Sequence, residues 1–248
     1  MLSLSAKSTR AQSGRSDEAN PYWISFSDIM AGLLVIFILA ALLLILQLTQ
    51  QREGIDLAIR EIEKANQVRS ELLAEIKQAL EQDGIKVEIS ENDSVLRIPS
   101  KTLNFASDRA YIPDDRSDVV EKIGIQLING ITTSNRSIWL DTIFVEGHTD
   151  RLPSKYKEVG NWLLSTDRAI SVWRFWGQNE STKQLHEIKN FSGEHMFSVS
   201  GYAETRRVEE EDVTDELREA NRRIDLRFTM KQPRVCEYQE ALGIDMCN

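Results

Sequence analysis

The sequence predicts a mixed α/β sandwich domain, with helices on one face of a sheet, preceded by a single transmembrane helix and a helical linker. Three observations predict it. Residues 29–46 form an apolar run of eighteen without a charge. Residues 55–80 then place apolar side chains at steps of three and four. Residues 84–233 alternate short β-type runs with helical periods, the pattern of strands covered by helices.

Composition narrows the classes further. The 248 residues carry a net charge of −9, with 41% hydrophobic and 28% charged residues. These averages exclude a collagen-like, polytopic membrane or disulfide-scaffold chain. The acidic balance argues against direct nucleic-acid binding, which needs clustered Lys and Arg to neutralise phosphates. The Ser-rich stretch 1–22 is expected to be a disordered tail.

The transmembrane helix is expected over 23–48. Eighteen helical residues at about 1.5 Å each span about 27 Å, close to the hydrocarbon thickness of a bilayer. A signal peptide would have a shorter apolar core followed by a small-x-small cleavage site. Here the run leaves through Leu46, Gln47, Leu48 and Thr49, so an uncleaved anchor is the expectation. Lys7, Arg10 and Arg15 precede the run, and Arg52 is the first basic residue after it. That bias places the N-terminus in the cytoplasm and the following domain outside the inner membrane.

Asp28 stands at the entrance to the run, in PYWISFSDIMAGLL. A carboxylate there is costly unless a proton or cation neutralises it, so it can load an ion from one side and release it to the other. The other reading is an N-cap, for which Asp28, Ser25 and Ser27 are all suited.

The helical linker, 49–83, carries Ile55, Ile59, Ile62, Ala65, Val68, Leu72, Ile76 and Leu80 on one stripe. So narrow a seam suits a parallel helix pair, which makes a homodimer the expectation. The alternative is an amphipathic helix packing on its own domain. Asp56 and Arg60 add an acid-before-base pair, and Gly54 is a candidate break.

The domain, 84–233, opens after Asp83-Gly84. Strands are expected over 85–90 and 94–99, split by the turn Glu91-Asn92-Asp93. A helix over 114–129 precedes a strand over 137–146, rich in Ile, Trp, Leu, Phe and Val, that ends in Gly147-His148-Thr149-Asp150. A helix over 161–176, a strand over 196–200, a short helix over 215–221 and a strand over 224–230 complete it.

Cys236 and Cys247, in the tail 234–248, are the only cysteines. As a pair they close a short loop, which suits an oxidising compartment such as the periplasm and contributes about 3 kcal/mol; two unpaired thiols are the alternative. His148, His186 and His195 show no zinc-like spacing with them, so no metal is expected. No nucleophile is placed with a base and an orienting group, and no Gly-rich phosphate loop occurs, so no catalytic residue is assigned. The chain is not expected to be an enzyme.

Four blocks carry a resemblance. LNFASDRAYIPDD (103–115), FVEGHTD (144–150), NWLLSTDRAISV (161–172) and VSGYAETRRV followed by REANRRIDLRF resemble, in order and spacing, the OmpA-like peptidoglycan-binding domain. The resemblance implies that Asp150 and Arg168 hold the diaminopimelate group of the wall peptide. Asn161 and Leu164 would lie beside them, with Phe105 and Thr149 as pocket walls. A zwitterionic amino acid needs an anion for its ammonium and a cation for its carboxylate, and Arg offers a bidentate fork. Steps of three and four put Asn161, Leu164 and Arg168 on one helix face. Arg168 could instead pair structurally with Asp167 or Asp150. Arg222 and Arg223 are read as mainly structural.

PYWISFSD ahead of an apolar helix resembles the B subunits of flagellar-type stators, in which one Asp near the helix start carries the ion. That role falls on Asp28. The resemblance implies a torque-generating stator subunit, a dimer inside a ring of a larger polytopic membrane partner of the ZorA or flagellar A-subunit type, a pentamer. The transported ion is H+ or Na+, with protons preferred for want of a cation cage, and no other cofactor is implied. The WISFSD start, chain length and paired tail cysteines resemble the Zorya anti-phage defence type among stator subunits. A flagellar stator subunit and a passive tether from inner membrane to cell wall are the alternatives.

Overall fold

The computed structural model describes residues 21–106 and 108–233. The tail 1–20 and the cysteine pair Cys236 and Cys247 lie outside the described residues. The chain divides into two compact units, Met1–Gly54 and Ile55–Asn248.

In the first unit every described residue is helical, as the opening part of α1 (Pro21–Gln82). Pro21, the first described residue, is already helical, so the helix spans the expected boundary at residue 23. Its most apolar 18-residue window has a mean hydropathy of 3.2 and no buried part. Leu33, Phe37 and Leu44 are all exposed. It is the one helix among the described residues long and apolar enough to cross a membrane. Asp28 sits inside α1, seven residues past Pro21, and is exposed. The cap reading of Asp28 fails, because a cap must precede the first turn. Nor does Gly54 interrupt the helical assignment.

The second unit is a two-layer α/β domain. Its elements run β1 (Glu88–Ser90), β2 (Val95–Pro99), the short α2 (Ser100–Leu103), α3 (Ser117–Thr132), β3 (Leu140–His148), α4 (Asn161–Gln178), β4 (Phe197–Gly201), α5 (Asp215–Asn221) and β5 (Arg223–Met230). The sheet order is β1-β2-β5-β3-β4. β3 and β4 pair in parallel, joined through α4, and every other pairing is antiparallel.

The alternation of β5 shows how the layers form. Ile224, Leu226, Phe228 and Met230 face the core, where α3 brings Val120, Ile123, Leu127 and Ile131 and α4 brings Ala169, Val172 and Trp176. Arg223, Asp225 and Arg227 point to the other side, because side chains alternate with a period of two. Trp176 is fully buried and satisfies its indole by donating to the Val120 carbonyl at 2.8 Å.

The linker stripe splits. Ala65, Leu72, Ile76 and Leu80, together with Leu73, belong to the domain core. Ile55, Ile59 and Ile62 stay exposed. From Ala65 onward the seam is therefore used within the chain, since packing on the sheet buries it without a partner. The exposed part of the stripe ends near Ile62. Glu75 fixes the helix to the domain by accepting from both Arg136 Nη1 and Nη2, at 2.6 and 2.7 Å.

Strands β1, β2 and β3 start later than expected, at Glu88, Val95 and Leu140. Ser134 and Asn135 have φ of +53° and +56°, so residues 133–139 coil in tight turns and β3 starts only at Leu140. Glu91, Asn92 and Asp93 all adopt positive φ as the β1–β2 turn.

Candidate functional site

The site is built at one end of the parallel pair β3–β4. Two glycines let the first turns of α4 come against it. A Cβ on Gly147 would collide with the Ser165 carbonyl, and one on Gly201 with the Thr166 hydroxyl and backbone. The approach is then locked: Ser165 Oγ accepts from the Ala203 N–H at 3.0 Å and donates to the Trp162 carbonyl at 3.0 Å. Asn161, Leu164 and Arg168 of α4 are thereby aimed at the loop that follows β3.

That loop carries Thr149 and Asp150, both buried. Asp150 Oδ1 accepts from the Leu152 N–H at 3.0 Å, a turn closed by the side chain on its own backbone. Oδ2 accepts from Arg222 Nη1 at 2.8 Å. Asn161 Nδ2 donates to the carbonyls of Asp150 (3.3 Å) and Leu152 (3.0 Å) and to Glu204 Oε2 (3.2 Å). It thus sets the path of the loop. Thr149 Oγ1 is buried and has no hydrogen-bond partner among the described residues.

Arg168 is only 4% exposed. Its Nε donates to the Arg109 carbonyl at 3.0 Å and Nη2 to the Ala106 carbonyl at 3.3 Å, and its guanidinium lies 5.3 Å over the Phe105 ring. Burial pushes its pKa down to about 10, helped by the charge of Arg222, while Asp150 and Asp108 pull the other way. Its hydrogen bonds go to backbone carbonyls, so among the described residues the guanidinium has no direct carboxylate partner.

All six expected residues, Phe105, Thr149, Asp150, Asn161, Leu164 and Arg168, line one cleft of about 450 Å³. Asp150 pairs with Arg222, so the structural partner imagined for it is not Arg168. Arg222, read from sequence as structural, belongs to the cleft wall. It precedes β5 while Arg223 begins it, and that boundary was the signal available. Asn104, held at φ +50°, and Asp108, which accepts from Ser154 Oγ at 2.6 Å, also line it without a prior sign.

This arrangement defines a mixed α/β OmpA-like domain behind a long apolar helix, and residues 104–222 match the model of the OmpA family. The chain is 24% identical over 242 residues to the protein YtxE of Bacillus subtilis (strain 168), covering 88% of this chain and 92% of that one. Its fold is that of a MotB-like protein from Desulfovibrio vulgaris, at a TM-score of 0.50 and 20% identity, covering 72% of this chain and 97% of the other. The cell wall anchor of the T6SS from Pseudomonas aeruginosa follows at 0.46 and 22% identity, covering 66% and 99%.

Proposed function

We propose that this chain is the wall-anchored subunit of an ion-driven inner-membrane motor, with the cleft of the OmpA-like domain holding peptidoglycan. The single observation that carries the anchoring is the presence in one cleft of a near-buried carboxylate, Asp150, and a near-buried guanidinium, Arg168. A diaminopimelate group offers an ammonium and a carboxylate at one end. Its carboxylate would meet Arg168, whose hydrogen bonds go to backbone carbonyls alone among the described residues. Its ammonium would share Asp150 with Arg222. Leu164 and Phe105 would cover the methylene chain, Asn161 would hold the loop, and Thr149 would supply a hydroxyl.

The motor reading rests on Asp28. A carboxylate at the head of the apolar stretch of α1 is expensive in a bilayer unless it binds a proton or cation. The chain would cross the inner membrane once, N-terminus inside. It would form a homodimer through the exposed stripe Ile55, Ile59 and Ile62, surrounded by a larger pentameric membrane partner. Proton flow at the partner's face would neutralise and recharge Asp28 while the wall holds the dimer still. The likeness of PYWISFSD and of the chain's overall plan to Zorya-type subunits supports an output in anti-phage defence.

Phage plating tests this on cells carrying the native operon, comparing wild type, Asp28→Asn and Arg168→Lys at matched protein levels. The expected result is protection by wild type and none by either variant. Protection that survives Asp28→Asn but not Arg168→Lys overturns the motor in favour of a passive wall tether. Absence of protection even by wild type moves the function to the flagellar alternative.

A further inference from the structure

The sheet face turned away from the helices carries a second cleft, of about 520 Å³, that the wall-binding reading does not use. Five guanidinium groups line it: Arg97 of β2, Arg223 and Arg227 of β5, and Arg206 and Arg207 of the loop after β4. Only Glu91 among its lining residues is acidic. Beneath lie two fully buried carboxylates, Glu146 and Asp225. Five cations against three anions leave an excess of positive charge, in a chain whose total is −9.

The arginines divide into two sets. Arg223 and Arg227 are consumed. Arg227 grips Glu146 with Nε and Nη2, at 2.8 and 3.0 Å, and Glu91 with Nη1 at 2.6 Å. Arg223 donates to Asp225, to the Asn221 carbonyl and to the Arg206 carbonyl. The others keep donors. Arg97 commits only Nε, to Asp225 at 3.3 Å, among the hydrogen bonds of the described residues. Arg207 is exposed and has no ion pair among the described residues. Arg206 is half exposed, stacks 3.6 Å over the Tyr202 ring, and reaches Glu146 only at 3.8 Å.

The loop that presents Arg206 and Arg207 is held in place. Asn221, fully buried, accepts from the N–H groups of Val208 and Glu209 and donates to the Glu209 carbonyl. Ser90 Oγ, without a hydrogen-bond partner among the described residues, lines the same cleft. The buried His148 beneath feels the field as well, its pKa driven down to about 2 by burial and by four of these arginines.

We propose that this cleft binds a phosphate-type oxyanion through Arg97, Arg206 and Arg207. A carboxylate is satisfied by one guanidinium fork, whereas phosphate has enough oxygens to accept from several forks at once. Three partly free guanidinium groups around one opening match the second case.

The test uses the full chain in detergent and equilibrium dialysis with radiolabelled inorganic phosphate. The Arg206→Gln/Arg207→Gln double variant keeps the Arg206 carbonyl that Arg223 uses, so the loop retains its anchor. Saturable binding by wild type, at least tenfold weaker in the double variant, is the expected result. Glycerophosphoglycerol, the deacylated lipid headgroup, is then added as competitor. Displacement at concentrations below those of unlabelled phosphate assigns the site to a lipid headgroup; weaker displacement assigns it to free phosphate. No saturable binding by wild type, or equal binding by the double glutamine variant, overturns the proposal. Sedimentation with cell-wall sacculi, unchanged in the double variant, shows that the protein remains folded.

Discussion

Arg222 shows how one side chain can serve both fold and site. Its Nη1 holds Asp150 Oδ2 at 2.8 Å, and Asp150 is only 7% exposed. A charged hydrogen bond to a carboxylate so placed contributes about 1.5–3 kcal/mol. A double-mutant cycle of Arg222→Gln and Asp150→Asn, read by urea unfolding, should give a coupling energy of about 1–3 kcal/mol. Coupling below about 0.5 kcal/mol would make the contact incidental. The other cleft residues were legible through the resemblance of the blocks 103–115, 144–150 and 161–172 to the OmpA-like domain, with steps of three and four putting positions 161, 164 and 168 on one helix face. Arg222 escaped because two adjacent arginines look alike until the strand boundary sends them to opposite sides. Asp28 as a cap was a reasonable reading of local preference. It failed because residues from Pro21 onward are already helical, which residue preferences near Asp28 do not reveal.

At the scale of elements, α1 teaches the clearest lesson. A stripe at steps of three and four says that a helix buries one face, and nothing about whose surface covers it. Ala65 to Leu80 are covered by the domain's own sheet and helices, while Ile55, Ile59 and Ile62 are not. The two halves should therefore respond differently to truncation. Leu72→Ala removes a fully buried side chain and is expected to lower the unfolding free energy by about 2–5 kcal/mol. Ile59→Ala, on the exposed part, should change it by no more than about 0.5 kcal/mol, while reducing chemical cross-linking between copies if the proposed homodimer forms through this stripe. Equal effects on unfolding would show that the whole stripe is buried between copies. The strands were legible in kind and order. Their ends were not, because β3 is delayed by two left-handed residues and by Arg136 reaching back to Glu75, a contact across 61 positions.

Across the whole molecule, the sheet separates an apolar face under helices from a face built of buried charge. His148 reports the consequence. It is 1% exposed, stacked 5.5 Å from Tyr202, and neither ring nitrogen has a hydrogen-bond partner among the described residues. Asp225 lies 3.5 Å and Glu146 4.0 Å from Nε2, which would favour the imidazolium. Burial and four guanidinium groups oppose it and prevail, because both carboxylates are already held by Arg97, Arg223 and Arg227. The pKa falls from 6.5 to about 2. The folded chain therefore binds fewer protons than the unfolded chain between those values, and stability drops as pH falls through that window. One such group contributes about 1.4 kcal/mol per pH unit. Between pH 6.5 and 4.5, wild type should thus lose about 2–3 kcal/mol more than His148→Gln, whatever the variant's stability at neutral pH. The comparison cancels the carboxylates that both proteins share. Urea unfolding at the two pH values measures it, and parallel losses in both proteins would mean that His148 is protonated in the fold. The loss on acidification thus originates in the buried charge on the sheet face turned away from the helices.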